Sequence, residues 1–185
     1  MPTASPSFLR RSRPGDLDLR RMGTSSLVLG FDPGLHRTGY GAISIGSGRP
    51  QVHEAGVLST RADADLGQRL CQLYRDVEAL VKELRPDLVV LEDLFAHHQF
   101  PRTAIVLGHV RGIICLAAAE ARIAVVALAP AAVKRAIAGS GRASKPQVQA
   151  AVRTLLGIRR VADPHAADAL ALAYAGGARL RSVRR

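Results

Sequence analysis

The sequence predicts an α/β fold: a five-stranded mixed sheet flanked by helices on both faces. Three observations carry this. The apolar pattern switches repeatedly between strand-like and helix-like spacing along the chain. The runs at 27–32 and 88–91 are apolar without alternation, as in central strands covered on both sides. With 185 residues and 48% hydrophobic side chains, one domain with a substantial core is the natural size.

The elements follow in order. A buried strand spans 27–32, and Pro33-Gly34 turns it. Strands at 40–45 and 52–58 are separated by Gly46-Ser47-Gly48, the turn signal of an antiparallel meander. Leu66, Leu70, Leu73, Val77, Leu80, Val81 and Leu84 recur at helical spacing, and Arg85-Pro86 stops that helix. The strand at 88–91 leads through a loop at 95–101 into a helix over 103–121. A strand at 123–128 and helices at 131–138, 145–156 and 164–175 complete the chain. A meander followed by alternating helix and strand makes the sheet mixed.

Composition divides the chain into a basic N-terminal arm (1–25), one folded domain (26–176) and a basic C-terminal tail (177–185). The first 21 residues carry three prolines and five arginines without an apolar core, which reads as a disordered arm; translation from Met22 is the alternative. The tail holds Arg179, Arg181, Arg184 and Arg185 and reads as nonspecific attraction. Lys and Arg number 26 against 15 Asp and Glu, a net charge of +11. Such a balance suits a phosphate backbone, whose counterions cations release; it also fits a ribosomal or membrane-surface protein. No apolar run is expected to span a bilayer, so no membrane partner is expected and the location is cytoplasmic. Cys71 and Cys115 sit in apolar helical patterns and read as buried thiols, with no zinc-type spacing. The 103–121 helix is apolar on more than one side. Either it is central to a single core, or its second face meets another subunit.

Four side chains stand out as a metal site. Asp32 and Glu92 each end an apolar strand, where open α/β sheets present ligands. Asp-Pro-Gly is also a common turn, and a Glu closing a strand is often only the edge of a core. Asp163-Pro164 reads as N-cap and first residue of the last helix, which sets His165 and Asp168 three apart on one face. Asp168 lies in an otherwise apolar run, and a lone carboxylate there is costly unless paired or coordinated. A satisfied core histidine and a hydrogen-bonded aspartate are the bland reading. In-line phosphodiester hydrolysis needs water activated and a leaving oxygen neutralised, which two divalent cations do. Three carboxylates and one imidazole suffice to hold two Mg²⁺ or Mn²⁺ ions, with Asp32 central. The imidazole favours Mn²⁺ activity at least equal to that with Mg²⁺.

Gly30-Phe31-Asp32-Pro33-Gly34 with Thr38-Gly39-Tyr40-Gly41, Glu92-Asp93-Leu94-Phe95, Lys134, Ser144-Lys145-Pro146-Gln147-Val148-Gln149 and Ala166-Ala167-Asp168-Ala169-Leu170-Ala171 occur in this order. Over 27–174 the chain thereby resembles the RuvC family of Holliday-junction resolvases, endonucleases of the ribonuclease H-like fold. The resemblance implies catalytic and metal-binding roles for Asp32, Glu92, His165 and Asp168; many members have Asp where His165 stands. It implies DNA-binding roles for Phe95, Lys134 and Lys145. It also implies a homodimer, four-way junction DNA as substrate and a branch-migration helicase complex of the RuvA/RuvB type as partner. Independently, Phe95 and Phe100 flank a polar loop with His97 and His98, a setting that suits base stacking or loop packing. Lys145 follows Ser144 at a helix start, where backbone N–H groups and the cation can share a phosphate. Three rivals stand: a nuclease of the same fold acting on RNA or hybrids, an actin-like phosphotransferase, and a junction-binding protein without catalysis. The phosphotransferase would need a second Asp-x-Gly phosphate loop later in the chain.

Overall fold

A computed structural model describes residues 25–93, 101–161 and 163–183. Nearly all of the expected N-terminal arm, and the loop carrying Phe95, His97, His98 and Phe100, lie outside the described residues. The strands are β1 (Ser26–Asp32), β2 (Arg37–Ile45), β3 (Gln51–Ser59), β4 (Leu88–Glu92) and β5 (Ala124–Leu128). They form one sheet in the order β3-β2-β1-β4-β5. β1, β2 and β3 pair antiparallel, whereas β4 lies parallel to β1 and β5 parallel to β4. This is the predicted mixed sheet, with β1 at its centre.

The helices are α1 (Leu66–Leu84), α2 (Pro101–Glu120), α3 (Pro130–Ala138), α4 (Lys145–Leu156) and α5 (Pro164–Val183). Strand period decides which face each residue meets. Leu29, Phe31, Val89 and Leu91 point into a core shared with Leu73 and Val77 of α1 and Val110 and Ile114 of α2. Val28, Leu88 and Val90 point the other way, into a core with Val133 of α3, Val152 of α4 and Leu170 of α5. Two helices therefore cover one face and three the other. Arg85 ends α1 in a left-handed conformation, its N–H bonded to the Val81 carbonyl, just before Pro86.

Three expectations need correction. The stretch expected to be a basic tail is largely helix, since α5 continues to Val183. Arg181 reaches back to the carbonyls of Gly46 and Gly48 and ties the helix end to the β2–β3 turn. The helix expected to end at 175 runs on through Gly176-Gly177, where α5 presses on the sheet: a Cβ at Gly177 would stand 2.9 Å from Ile45 Cγ1. Packing outweighs the roughly 0.5–1 kcal/mol cost of each mid-helix glycine. Second, Cys71 is exposed, on the outer side of α1, and Cys115 is only half-buried. Third, α2 over Arg102–Glu120 is long and apolar enough to cross a membrane by length and composition. A core helix of a soluble protein passes that test too. Val110, Ile114, Ala117 and Ala118 of α2 are buried in the core on the α1 side of the sheet.

Candidate active site

Alternation along the strands puts both strand-end carboxylates on one face. Asp32 shares its face with Val28, and Glu92 shares its face with Leu88 and Val90; all belong to the α5 side. In the parallel register Phe31 lies opposite Leu91, so Asp32 and Glu92 stand beside each other at the carboxyl ends. This is also where the chain changes direction across the sheet, β1 being flanked by β2 on one side and β4 on the other.

α5 brings the other two candidate ligands, His165 and Asp168. Asp163 is its N-cap: Oδ1 accepts the His165 N–H at 2.8 Å, and the Asp163 carbonyl accepts from Ala167. The other Asp163 oxygen takes the guanidinium of Arg37 at the start of β2. Glycines on the sheet then admit the helix backbone at unusually short range. A Cβ on Gly30 would lie 2.6 Å from the Ala173 nitrogen, and one on Gly39 would lie 2.9 Å from His165 Cβ. Ala166, Ala169 and Ala173 present the matching small surface on α5 and are buried.

The result is a cleft of about 250 Å³ lined by Asp32, Glu92, Asp168, Lys134 and Lys145, among others. His165 Nδ1 stands 2.8 Å from Asp32 Oδ2, with 43% of its side chain exposed. Lys145 Nζ stands 2.6 Å from Asp168 Oδ2. Ser144 caps α4 in a capping box with Gln147, which fixes the helix start that carries Lys145. Lys134 is supplied by α3. The two lysines thus line the carboxylate cleft itself. Among the described residues no three His, Cys, Asp or Glu side chains converge on one point. Asp32 and Asp168 instead turn to His165 and Lys145.

The electrostatics favour a cation. Burial raises the Asp32 carboxyl above its ordinary value, opposed by the His165 hydrogen bond, and the Asp168 charge raises it further. Burial also raises Glu92, with the charges of Asp32 and Asp168 adding to it. Asp168 holds the Lys145 ammonium above the usual lysine range. Asp32 and Glu92, each hindered from ionising by burial and neighbouring charge, with Asp168 and an imidazole beside them, suit hard divalent cations such as Mg²⁺ or Mn²⁺. Two further residues belong to the site although the motifs did not name them. Arg111 of α2 donates to the main-chain carbonyl of Glu92, and Arg37 holds the α5 N-cap. Arg111 was legible as the lone cation in the middle of an apolar helix; Arg37 carried no comparable signal.

Comparison with known proteins agrees with this geometry. The family model for crossover junction endodeoxyribonuclease RuvC matches residues 28–175. A crossover junction endodeoxyribonuclease RuvC from Rhodopirellula baltica is 43% identical over 157 residues, 84% of this chain and 88% of that protein. One from Syntrophomonas wolfei is 42% identical over 147 residues, covering 79% and 85%. The solved structure of Thermus thermophilus RuvC superposes with a TM-score of 0.77 at 31% identity, over 85% of this chain and 96% of that one. The same protein solved with a Holliday junction substrate gives 0.76 at 28% identity, with the same coverage. With its ribonuclease H-like α/β sheet, its strand-end carboxylates and this match over most of its length, the chain belongs to the RuvC crossover junction endodeoxyribonuclease family.

Proposed function

We propose that the protein is a structure-selective DNA endonuclease that resolves Holliday junctions by two symmetric nicks. The observation that carries this reading is that Asp32, Glu92 and Asp168 line one cleft together with Lys134 and Lys145. Asp32, Glu92, His165 and Asp168 would hold two divalent cations, which when bound activate water and neutralise the leaving oxygen. Lys134 and Lys145 line the same cleft and would meet the incoming phosphate. Their charges offset part of the repulsion between a phosphodiester and three carboxylates. With cations bound, Asp168 would ligate them, and the Lys145 ammonium now paired with it would be free for the DNA. Water is the nucleophile, and hydrolysis leaves ligatable ends. No Ser or Tyr nucleophile lines the cleft among the described residues.

Two symmetric cuts need two sites related by a twofold axis, hence a homodimer. α2 supports this: Ile105 is 62% exposed and Leu116 49%, large apolar side chains that a second copy would cover. Phe95 is proposed to meet bases at the junction centre. The setting is DNA recombination and repair in the cytoplasm, downstream of a branch-migration complex.

The test is a synthetic mobile four-way junction incubated with the protein and Mg²⁺, Mn²⁺ or chelator. Paired nicks with either metal and none with chelator are expected. Asp32→Asn should bind the junction and leave it uncut. Normal cutting by that variant, or preference for an RNA–DNA hybrid over the junction, would overturn the reading.

A further inference from the structure

The turn between β2 and β3 joins two arginine contacts that reach opposite elements. Arg181, near the end of α5, donates to the carbonyls of Gly46 and Gly48, the latter at 2.8 Å. Arg49, in the turn itself, reaches outward to the end of α4. Its Nη2 donates to the Thr154 carbonyl at 2.8 Å and its Nε to the Leu155 carbonyl at 3.4 Å. Pro50 disfavours a helical backbone at Arg49, which narrows the directions its side chain can take. A helix leaves its last four carbonyls without partners of its own. In α4 the Arg153 carbonyl accepts from Gly157 and Ile158, and Arg49 supplies donors for the next two. Gly157 makes room for this: a Cβ there would lie 2.5 Å from Arg49 Cζ. A cation at this end also faces the negative pole of the helix.

The contact matters because of what stands at the other end of α4. Lys145 is its first residue, with Nζ 2.6 Å from Asp168 Oδ2 in the carboxylate cleft. Between the two ends α4 packs on α3 and α5 through Val148, Val152 and Leu156. Apolar contacts are non-directional and leave tilt and slide loosely set. At about 1.5 Å per residue, the Arg49 grip lies about 15 Å from Lys145. Over that lever a tilt of about 4° moves Lys145 by about 1 Å, a misplacement that a positioned group feels strongly. α4 and α5 are therefore joined twice, by Lys145 and Asp168 at the cleft and through Arg49, the turn and Arg181 at the far side. We infer that Arg49 is a positioning residue: its grip on the Thr154 and Leu155 carbonyls sets where Lys145 stands beside the scissile phosphate. This rests on the resolvase reading above and extends the site to a residue outside the cleft.

The test is a double-mutant cycle on a four-way junction cut with Mg²⁺ at saturating protein. Arg49→Met removes the donors and keeps the apolar stem, at an exposed position. It should cut about tenfold more slowly than the unaltered protein. Its affinity for the junction, measured with Ca²⁺ in place of Mg²⁺, should be unchanged. In a Lys145→Met background the same substitution should cost less than about twofold. Arg49→Gln takes its place in the cycle if Arg49→Met does not fold. A readout without metal or DNA accompanies these rates. In chelator, the ¹³Cε resonance of Lys145, identified by its loss in Lys145→Met, should move toward that of a free lysine when Arg49 is replaced. Equal losses with and without Lys145, a parental rate, or an unmoved Lys145 resonance would overturn the inference. Weaker junction binding in both backgrounds would overturn it too, by making Arg49 a direct DNA contact. Failure of the unaltered protein to cut any junction with Mg²⁺ or Mn²⁺ would instead overturn the resolvase reading, while the resonance still decides whether Arg49 places Lys145.

Discussion

Glu92 shows how a single residue serves function against stability. Its carboxyl is raised by burial first, then by the Asp32 and Asp168 charges, and Asp32 is raised by burial too. A raised native value means that the folded protein keeps protons the unfolded chain releases. With chelator present, stability should therefore fall as pH rises from the ordinary carboxylate range through the raised values of Asp32 and Glu92. Glu92→Gln should increase the melting temperature of the chelated protein by roughly 2–4 °C per kcal/mol of repulsion removed, and flatten this pH profile. The same variant should lose the stabilisation by Mn²⁺ and the cutting. Calorimetry with and without metal checks both; a chelated variant less stable than the parent would refute the assignment. Arg111 acts one step away, through the Glu92 carbonyl. Arg111→Gln should weaken metal affinity by roughly tenfold or more, so that cutting falls at low Mn²⁺ and returns at high Mn²⁺. A loss that no metal concentration restores would show that Arg111 does more than position the strand end.

At the scale of elements, the site depends on how near α5 comes to β1 and β2. Gly39 lies under His165 and Gly30 under Ala173, with no space for a methyl group. Gly39→Ala should overpack this contact at a cost of about 1–3 kcal/mol in chemical denaturation. Cutting should fall further than that loss of folded protein explains, because the displaced helix carries His165 and Asp168 together. Equal stability and activity would mean that the helix and strand adjust independently. α4 has its own safeguard, the Ser144 and Gln147 capping box that sets where Lys145 begins the helix.

The whole molecule is asymmetric in its covering. Three helices close the catalytic face of the sheet, while α2 on the other face leaves Ile105 and Leu116 open to solvent. Replacing both by Asp should halve the mass in light scattering, with the metal site intact by Mn²⁺ titration. Paired nicking should then fail while metal-dependent stabilisation persists. An unchanged mass would overturn the proposal that this face joins two copies. The excess of cations, 26 against 15 acidic groups, suits long-range attraction of DNA to either assembly.

Much of this was legible in the chain, for local reasons. Strand ends at Asp32 and Glu92, the i, i+3 pair of His165 and Asp168, and the Asp163 and Ser144 caps all follow from short-range period and capping chemistry. Where the local signal misled, a distant partner was responsible. The last helix, expected to end at 175, runs on through Gly176-Gly177, where Ile45 and Val90 occupy the space those glycines leave. Cys71 fits an apolar pattern but falls on the outer side of α1. The sequence alone determined the elements, their order and the candidate metal-binding side chains, since these depend on neighbours within a few residues. Only the tertiary structure decided that Lys145 meets Asp168, that Arg111 reaches Glu92 and that Arg37 holds Asp163. Those contacts join residues 19 to 126 positions apart, and no local spacing encodes which pairs the sheet order will bring together.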